Sequence, residues 1–387
     1  MLMSLIDGLK RKIPSYDLEF NLLSERYPIE KDFFLQYGIN KIYKAESVKK
    51  DFMFYLFYLV FRIRKIMVKD IFFSAINEND IVIDCAGISF YDLGDNFSYC
   101  LYNNLGWWLR VVMAKTLKVP VIKFTQSFGV NRYFLTKWLA KNALRKVDLI
   151  IVRDNESRSY LLSLGIKRDL LIAPDVVFAL NENRFSLDNP YQMVEISKGY
   201  ERIVGICLNS RAALKNREYS KIFTNFLIWL KTNYPTYGIF FLINRDSGNS
   251  DSVDHELTQE VLDSLPDREN IFYFKRNVNP IGMIDIISHC DMLIGSRYHS
   301  LVFALLQKKP IISIGWSHKY SELCDLFGIK NLALDAGRLD LKILKEYFRE
   351  VSDNLDLYRD KIKNRIETVK VGADSALVAV VKFIGKI

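Results

Sequence analysis

The segment from Gly295 to Ser300 (GSRYHS) carries residue types that could perform acid–base chemistry on an anion. It follows the short apolar run Met292–Ile294, and a helical pattern begins near His299. Arg297 offers a planar guanidinium that can hold a carboxylate or phosphate through two hydrogen bonds. His299 is one of four histidines, and an imidazole titrates near neutral pH. A lone histidine is more often structural, but this strand–glycine–arginine–histidine order favours an anion-binding catalytic turn.

Two further basic residues follow strand-like runs in the same way. Lys319 lies in the segment GWSHK, directly after the run Pro310–Ile314, and would enter the same site from the neighbouring strand end. The alternative for Lys319 is a solvated lysine in the first turn of a helix, where the helix dipole disfavours positive charge. Arg211 follows another β-branched run in the triplet Asn-Ser-Arg, which makes it a candidate anion ligand.

A third segment, VRDNES, places Arg153 at the end of an apolar run and beside the predicted N-terminus of a helix. An arginine in that position can form an anion site. Asp154 has two interpretations: it is part of a functional motif, or it is the N-cap of the helix with Ser157 in the first turn. The sequence leaves both open.

Together these cations predict a site for a small molecule with two anionic groups. The set consists of Arg153, Arg211, Arg297, His299 and Lys319. The sequence offers no carboxylate pair nearby, no set of residues with metal-ligand spacing, and no Cys or Ser nucleophile with a partner. We therefore expect neither a metal site nor a covalent nucleophile.

The elements that must position these residues alternate between strand-like and helix-like segments. In the first half of the chain, the predicted strands are Asp80–Cys85, Val119–Phe124, Val147–Val152 and Leu170–Ala173, and the predicted helices are Trp107–Leu117, Tyr133–Arg145 and Glu156–Leu164. Short apolar strands that alternate with helices of 10–15 residues are typical of a parallel sheet with both faces covered.

The same alternation resumes after a polar stretch that contains Pro190. The predicted strands are Arg202–Leu208, Gly238–Ile243, Ile271–Phe274, Met292–Ile294, Pro310–Ile314 and Asn331–Leu334, and the predicted helices are Tyr219–Thr232, Glu256–Ser264, Pro280–Ser288, Ser300–Gln307 and Ser321–Phe327. We predict α/β domains at residues 1–180 and 201–372, a linker at 181–200, and a cleft between the domains where strand carboxyl ends and helix N-termini meet.

The two ends of the chain add two expectations. The amphipathic stretch 373–387 is predicted to pack back onto the first domain. At the other end, Met1–Lys12 has a helical pattern and precedes the strand-like run Leu18–Leu23. A doubly wound domain normally starts with a strand and a Gly-rich turn. Either this domain begins atypically or its first strand is missing from the sequence.

Composition limits the classes of protein that fit. The 387 residues carry 54 Lys and Arg against 45 Asp and Glu, a net charge of +9, which leaves anionic partners open. Without a zinc-finger spacing, a recognition helix or a dense basic arm, we expect no nucleic-acid partner. The five cysteines are odd in number and widely spaced, and no CxxC occurs. We interpret them as reduced thiols in a cytoplasmic protein.

One aromatic segment suggests a membrane surface. The longest apolar run, Phe52–Phe61, is too short to span a bilayer, and Arg62, Arg64, Lys65 and Lys69 follow it directly. A core helix is one interpretation. The other is a surface helix that gives weak peripheral contact with the inner face of the membrane. No secretory signal is apparent at the N-terminus.

Several of these motifs, in this order and spacing, resemble the polysaccharide pyruvyltransferase family. The stretches are VRDNES followed by YLLSLGI and APDVVFAL, and GSRYHSLVFALLQKKPIISIGWSHKYSELCDLFGI with its Arg-x-His turn and aromatic-x-x-Lys. TQSFGVNR, at Thr125 to Arg132, resembles the family's Gln-Ser-Gly loop. The likeness covers roughly residues 80–335. Two departures are Ala86-Gly87, where the family usually has Gly-Gly, and Trp316, where Tyr is commoner; the first weakens inferences about the acceptor side.

The resemblance implies a GT-B-like fold of two Rossmann-like domains. It also implies transfer of pyruvate from phosphoenolpyruvate to a sugar of a cell-envelope polysaccharide or exopolysaccharide, as a ketal, without a metal or redox cofactor. The acceptor is a saccharide, with a lipid-linked one as an alternative. The implied catalytic residues are His299, Arg297 and Lys319. The implied substrate-binding residues are Arg153, Arg211, Gly295, Ser296, Gln126 and Ser127.

Two other functions fit the same residues. A GT-B glycosyltransferase that uses a nucleotide sugar would also bind an anionic donor. A non-catalytic scaffold in polysaccharide assembly would keep the fold and have no catalytic activity. Protection from thermal unfolding by a nucleoside diphosphate, but not by phosphoenolpyruvate, would favour the glycosyltransferase.

Overall fold

The computed structural model describes residues 1–24, 39–44, 75–92, 94, 96–167, 169–180, 197–243, 253–274 and 280–387. The chain divides into two compact units. The first contains Met1–Leu180 and Lys370–Ile387, and the second contains Asn181–Val369. The predicted segment Phe52–Phe61, with the basic residues behind it, and most of the predicted linker lie outside the described residues.

The first unit is built on a parallel sheet in the order β3-β5-β6-β7, with β4 paired to β5 and a separate parallel pair β1-β2. Its strands are β1 (Phe20–Ser24), β2 (Ile39–Lys44), β3 (Val82–Asp84), β4 (Ile88–Ser89), β5 (Val121–Phe128), β6 (Leu149–Val152) and β7 (Leu171–Ile172). Its helices are α1 (Leu2–Lys12), α2 (Phe97–Thr116), α3 (Phe134–Leu144) and α4 (Asn155–Ser163), with a 3-10 turn at Val176–Ala179. The expected α/β alternation is confirmed.

Strand β5 is buried along its whole length because apolar clusters pack on both of its faces. It runs to Phe128 rather than ending at Phe124, so Gln126 and Ser127 lie in the strand and not in a loop as predicted. The pairing register with β6 shifts between Lys123 and Gln126, and Thr125 adopts a φ of 44°. A β-branched residue with positive φ is strained, which marks an irregularity that period-two patterning does not reveal.

The second unit is a six-stranded parallel sheet in the order β10-β9-β8-β11-β12-β13. Its strands are β8 (Arg202–Cys207), β9 (Tyr237–Leu242), β10 (Ile271–Phe274), β11 (Met292–Gly295), β12 (Ile311–Gly315) and β13 (Ala333–Asp335). Its helices are α5 (Ser210–Ala213), α6 (Tyr219–Asn233), α7 (Val253–Asp263), α8 (Pro280–Ser288), α9 (Tyr298–Leu306), α10 (Lys319–Leu326) and α11 (Leu341–Asp353), with 3-10 turns at Lys330–Leu332 and Ala336–Arg338. The last helix, α12 (Leu355–Ile384), begins in this unit and ends in the first.

Helix starts differ most from the sequence prediction. Helix α2 begins ten residues before Trp107, because the Asn96 side chain caps it by accepting a hydrogen bond from the Tyr99 N–H at 3.0 Å. The aromatic residues of its first turns, Phe97, Tyr99 and Tyr102, are exposed and break the apolar periodicity on which the prediction relied. Helix α9 begins at Tyr298, so Arg297 is its N-cap and His299 lies within its first turn.

All five cysteines are free thiols, and four of them are fully buried. Burial raises the pKa of Cys85, Cys290 and Cys324 to about 12, so these thiols stay protonated. Among the described residues, none of the helices combines the length and the apolar character needed to cross a bilayer.

Candidate active site

The second sheet brings three of the predicted segments to one edge. Its chain order reverses between β8 and β11, which are hydrogen-bonded neighbours. Arg211 follows β8, Arg297 and His299 follow β11, and Lys319 follows β12. In an open parallel sheet, ligands bind outside the carboxyl ends of the strands at the point where the order reverses. The topology therefore supports a binding site here.

Arg297 is held by a carboxylate that the sequence did not indicate. Its guanidinium forms an ion pair with Asp254, which lies on α7 and is almost fully buried. The other carboxylate oxygen of Asp254 accepts a hydrogen bond from the Ser210 N–H at 2.9 Å. One carboxylate therefore ties the segment after β11 to the segment after β8, and a charge-assisted pair of this kind fixes the direction of the guanidinium.

Ser296 connects the same segments through its backbone and side chain. Its carbonyl oxygen accepts hydrogen bonds from Asn209 Nδ2 and from the Tyr320 hydroxyl, each at 2.7 Å. Its own hydroxyl hydrogen-bonds to the Tyr219 hydroxyl. Burial raises the pKa of Tyr320, so its hydroxyl stays protonated and remains a donor. Ser296 is completely buried, and these contacts give it a structural role beside the binding role predicted for it.

Lys319 and Arg211 share one aromatic platform. The Lys319 ammonium lies 4.9 Å from the ring centre of Trp316, 5.1 Å from that of Tyr298 and 5.4 Å from that of Tyr320. The Arg211 guanidinium lies 5.2 Å from the centre of the Trp316 ring. Both cations are half-buried, so Lys319 is not the solvated side chain of its alternative interpretation. Cation–π contacts help to hold both charged groups in place.

Two glycines allow this packing. A Cβ at Gly315 would lie 2.6 Å from the Tyr320 Cβ, closer than two carbons can approach. A Cβ at Gly295 would lie 3.1 Å from Leu301 Cδ2. Glycine at these two positions therefore lets α10 and α9 approach the strands that precede them. For Gly295, which we predicted to bind substrate, this packing gives a structural explanation.

His299 occupies the second position of α9, where it is half-buried. Its ring meets the Tyr298 ring edge-on at 5.8 Å, and the Lys319 ammonium lies over that same Tyr298 ring. The three predicted catalytic residues, Arg297, His299 and Lys319, therefore lie in one cluster. With Arg211, the cluster brings three permanent cations together, and Asp254 is the carboxylate that orients one of them, Arg297. A concentration of cations of this kind suits an anionic ligand.

Arg153 lies in the first unit and has a counter-charge of its own. Its guanidinium pairs with Asp175 at 2.8 Å, and both side chains are buried. Asp175 also accepts a hydrogen bond from the Val177 N–H at 3.0 Å and begins the 3-10 turn. A buried arginine paired in this way has a structural explanation, so its predicted role in binding substrate stays a prediction.

Gln126 and Ser127 are also engaged inside the first unit. Gln126 donates to the Asp84 carbonyl at 2.7 Å and accepts from the Ser89 hydroxyl at 2.6 Å. Ser127 donates to Asp154 Oδ2 at 2.8 Å. Both side chains are completely buried, and their predicted contact with substrate stays a prediction.

The two interpretations of Asp154 are resolved by its hydrogen bonds. Its Oδ1 accepts from the Ser157 N–H at 2.6 Å, and the residue precedes α4 with extended backbone angles. Asp154 is therefore the N-cap of the helix. Its second oxygen, bonded to Ser127, links that cap to β5.

Sequence reasoning missed Asp254, Tyr219 and Tyr320 as members of the cluster. Asp254 and Tyr219 lie far from Arg297 in the chain and have no motif of their own. Tyr320 directly follows Lys319, and this adjacency is the sequence feature that could have indicated its place in the cluster. Their contacts arise from the strand order, which a single sequence does not specify.

Comparison with known families gives one match. The family described as polysaccharide pyruvyl transferase matches residues 11–318. No curated protein sequence matches the chain.

Solved structures of low identity share the fold. A Listeria monocytogenes protein assigned as UDP-N-acetylglucosamine 2-epimerase has 10% identity and a TM-score of 0.67 over 100% of this chain and 93% of that one. The S. aureus MnaA–UDP co-structure has 11% identity and a TM-score of 0.66 over 99% and 94%. The UDP-GlcNAc 2-epimerase of Methanocaldococcus jannaschii, in complex with UDP-GlcNAc and UDP, has 12% identity and a TM-score of 0.61 over 98% and 96%. At such identities the likeness shows the fold alone, and that fold is the expected GT-B type.

Proposed function

The chain belongs to the polysaccharide pyruvyl transferase family, and from that premise we propose that its donor is phosphoenolpyruvate and its acceptor a sugar of an envelope polysaccharide or exopolysaccharide. The observation that carries the choice of donor is the cluster at the edge of the second sheet. Arg211, Arg297 and Lys319 supply three cations there, and Asp254 holds the Arg297 guanidinium in place. Phosphoenolpyruvate carries a carboxylate and a phosphate, so its two anionic ends match such a cluster.

The reaction can be written with balanced atoms. A proton adds to the methylene carbon of phosphoenolpyruvate, and the adjacent carbon becomes oxocarbenium-like. A sugar hydroxyl attacks that carbon and loses its proton, the bond from the carbon to the phosphate oxygen breaks, and inorganic phosphate leaves. A second hydroxyl of the same sugar then closes the ketal ring and loses its proton. No net oxidation or reduction takes place, so the proposed route uses no redox cofactor.

Each residue of the cluster has a defined task in this proposal. Arg297, held by Asp254, binds the carboxylate or phosphate with two hydrogen bonds. Lys319 and Arg211, held over Trp316, stabilise the charge that accumulates on the departing phosphate. His299 gives the proton to the methylene carbon and takes one from the attacking hydroxyl. In the first unit, Gln126, Ser127 and Arg153 stay proposed contacts for substrate.

We also propose that the reaction takes place in the cytoplasm. All five cysteines are free thiols. Such thiols are typical of proteins in a reducing compartment.

The direct test is incubation of the purified protein with phosphoenolpyruvate and a panel of free and lipid-linked glycans. Released phosphate and a glycan that gains one pyruvyl ketal, both lost in Arg297→Gln, would support the proposal. Release of phosphate by wild type and variant alike would point to a contaminating phosphatase. A well-folded protein that binds phosphoenolpyruvate and transfers no pyruvyl group to any glycan would favour the non-catalytic scaffold.

The competing donor is a nucleotide sugar. Two of the compared structures contain UDP, and the fold that they share with this chain also serves such enzymes. Thermal unfolding in the presence of either ligand separates the two donors. Phosphoenolpyruvate should raise the midpoint of wild type and not of Arg297→Gln. Protection by UDP without protection by phosphoenolpyruvate would replace the proposal with a glycosyltransferase.

A further inference from the structure

Helix α3 of the first unit carries apolar side chains on two opposite faces. One face packs into the core through Thr136, Leu139, Ala140, Ala143 and Leu144. The opposite face exposes large apolar side chains, with Phe134 84% and Trp138 48% exposed and Leu135 beside them. The outward face of a helix on a soluble domain is normally polar. Three exposed apolar side chains on one helix face therefore indicate a surface that binds a partner.

The charged residues of this helix and of the residues that flank it all have one sign. The segment from Arg132 to Lys146 contains five basic residues and no acidic one. The five are Arg132, Lys137, Lys141, Arg145 and Lys146. The next acidic residue, Asp148, is paired with Lys115 at 2.8 Å and also accepts from the Val121 N–H. This excess of basic residues favours an anionic partner.

A depression at the C-terminal end of the helix is also lined by basic and aromatic side chains. It has a volume of about 370 Å³ and is lined by Trp138, Lys141, Asn142, Arg145 and Lys146. Asn142 is fixed in its wall, because its Oδ1 accepts from Trp108 Nε1 at 2.9 Å. Three basic side chains and an indole around a shallow space suit the phosphate of a lipid headgroup, with the indole at the level of the headgroups.

The N-terminal end of the helix is rigidly held. Buried Asp92 accepts hydrogen bonds from the Arg132 N–H at 2.6 Å, from Asn131 Nδ2 at 3.1 Å and from the Thr136 hydroxyl at 3.1 Å. Phe97 of α2 packs edge-on against Tyr133 at 4.9 Å. The exposed side chains therefore project from a fixed scaffold.

We propose that this aromatic–basic face, formed by Phe134, Leu135, Trp138 and the five basic residues from Arg132 to Lys146, docks on the anionic surface of a lipid membrane. Apolar side chains enter the boundary between headgroups and acyl chains, while the basic residues meet the anionic lipids. A second copy of the chain is disfavoured as the occupant, because two faces of five like charges repel each other. The proposal does not depend on pyruvyl transfer.

The test is co-sedimentation of the purified full chain with vesicles. Wild type should bind vesicles that contain phosphatidylglycerol at low salt, bind them more weakly as salt rises, and ignore vesicles of phosphatidylcholine alone. Each charge removed should weaken binding about fivefold, so Lys137→Gln/Lys141→Gln/Arg145→Gln should weaken it about a hundredfold. Phe134→Ser/Trp138→Ser should also release the protein, although every charge is retained.

The matched control lies on α4 of the same unit. Arg158→Gln/Leu162→Ser removes one exposed cation and one apolar side chain about as exposed as Trp138, and it should bind as wild type does. Unchanged thermal midpoints show that the variants are folded. If a variant of the face is unfolded, the single substitutions Lys137→Gln and Phe134→Ser replace it and should each weaken binding measurably.

Four outcomes would overturn the proposal. The first is that wild type does not sediment with anionic vesicles at low salt, and the second is that the control variant loses as much binding as the variants of the face. The third is loss of binding only in Arg62→Gln/Arg64→Gln/Lys65→Gln, which would assign the contact to the other aromatic segment. The fourth is that variants of the face abolish self-association or binding of a single-stranded RNA oligonucleotide and leave vesicle binding intact.

Discussion

At the scale of single residues, the arrangement of Arg297 differs from that of Arg153. The partner of Arg297, Asp254, is almost fully buried, while the Arg297 side chain is 15% exposed and lies in the cluster of cations. Arg153 is buried together with Asp175. A guanidinium that is oriented from behind and accessible in front can bind a substrate, whereas one enclosed with its counter-ion contributes chiefly to the fold.

The first prediction concerns His299. His299→Ala should lower kcat about 10²- to 10⁴-fold and leave the Kd for phosphoenolpyruvate nearly unchanged, because a general acid acts on the chemical step and not on the anionic ends of the donor. Initial rates with saturating donor, and calorimetric titration with phosphoenolpyruvate, measure the two quantities. His299→Gln, which keeps a polar side chain, is the matched control and should be impaired equally. Full turnover in either variant would show that the assigned role is wrong.

The second prediction concerns Arg297. Arg297→Lys keeps the charge but replaces the planar fork by a point charge, so the lost second hydrogen bond should raise KM for phosphoenolpyruvate about 10- to 100-fold. Asp254→Asn should raise the same KM by less, because the guanidinium stays and loses only its orientation. The split between KM and kcat distinguishes these effects from general damage to the fold. A KM for Arg297→Lys equal to that of wild type would contradict the assignment.

The sequence reveals the members of this site that carry a motif and conceals those that do not. Arg297, His299 and Lys319 follow predicted strands in a diagnostic order, so their type and position suffice to nominate them. Asp254 looks like any acidic residue in the first turn of a helix. Only the packing of α7 against the segment after β8 shows what it contacts.

At the scale of elements, apolar runs predict the strands well because parallel strands are buried on both faces. Strand β10 and helix α8 have the bounds that the sequence predicts. Prediction is poorer where a capping side chain sets the boundary, as Asn96 does for α2, and where a bulge extends a strand, as at Thr125 in β5. The boundary of α2 depends on a hydrogen bond to one side chain, and that of β5 on a local change of backbone register. Hydrophobic periodicity reports neither.

Strand β5 also contains a buried lysine. Lys123 pairs with Asp84 at the end of β3, and its ammonium lies 5.1 Å from the centre of the Phe90 ring. Burial by itself raises the pKa of Asp84, but the adjacent ammonium outweighs burial and holds that pKa below the ordinary value of 3.8. A carboxylate with a lowered pKa stabilises the folded state above its unfolded pKa, and that stabilisation is lost as the pH falls through the folded pKa.

The third prediction follows from this pair. Lys123→Met should remove the main counter-charge of the partly buried Asp84 and lower the free energy of unfolding at pH 7 by about 1–3 kcal/mol. The deficit should shrink towards pH 3, where protonation removes the charge of Asp84 in the variant. Urea unfolding at both pH values measures it. Lys115→Met removes a pair with Asp148 that is partly exposed, and should cost no more than about 1 kcal/mol. A deficit independent of pH would mean that packing, not charge, explains the effect.

At the scale of the whole molecule, the two ends of the chain meet in the core of the first unit. Ala376, Leu377 and Val380 of α12 pack with Leu5 and Leu9 of α1 and with Ile122 and Phe124 of β5. At the edge of this contact, Lys12 pairs with Asp374 at 2.6 Å. Amphipathic patterns indicate that both terminal helices bury a face. They do not indicate that these faces bury each other, because that depends on where β5 places its side chains.

The fourth prediction tests this junction. Gly8 of α1 packs directly against Leu377, so a Cβ at position 8 would lie 2.3 Å from Leu377 Cδ1. Leu377→Ala should lower the free energy of unfolding by about 2–5 kcal/mol, because Leu377 is completely buried and its removal leaves a cavity. Gly8→Ala should also destabilise the protein, in this case through the clash. The double variant should be more stable than the sum of the two effects predicts, because the methyl group at position 8 enters the space that Leu377 leaves.

Val371→Ala, at an exposed position of the same helix, is the control and should change stability by less than about 0.5 kcal/mol. Urea unfolding of the four proteins gives the coupling energy, and strict additivity would show that α1 and α12 do not pack at this contact.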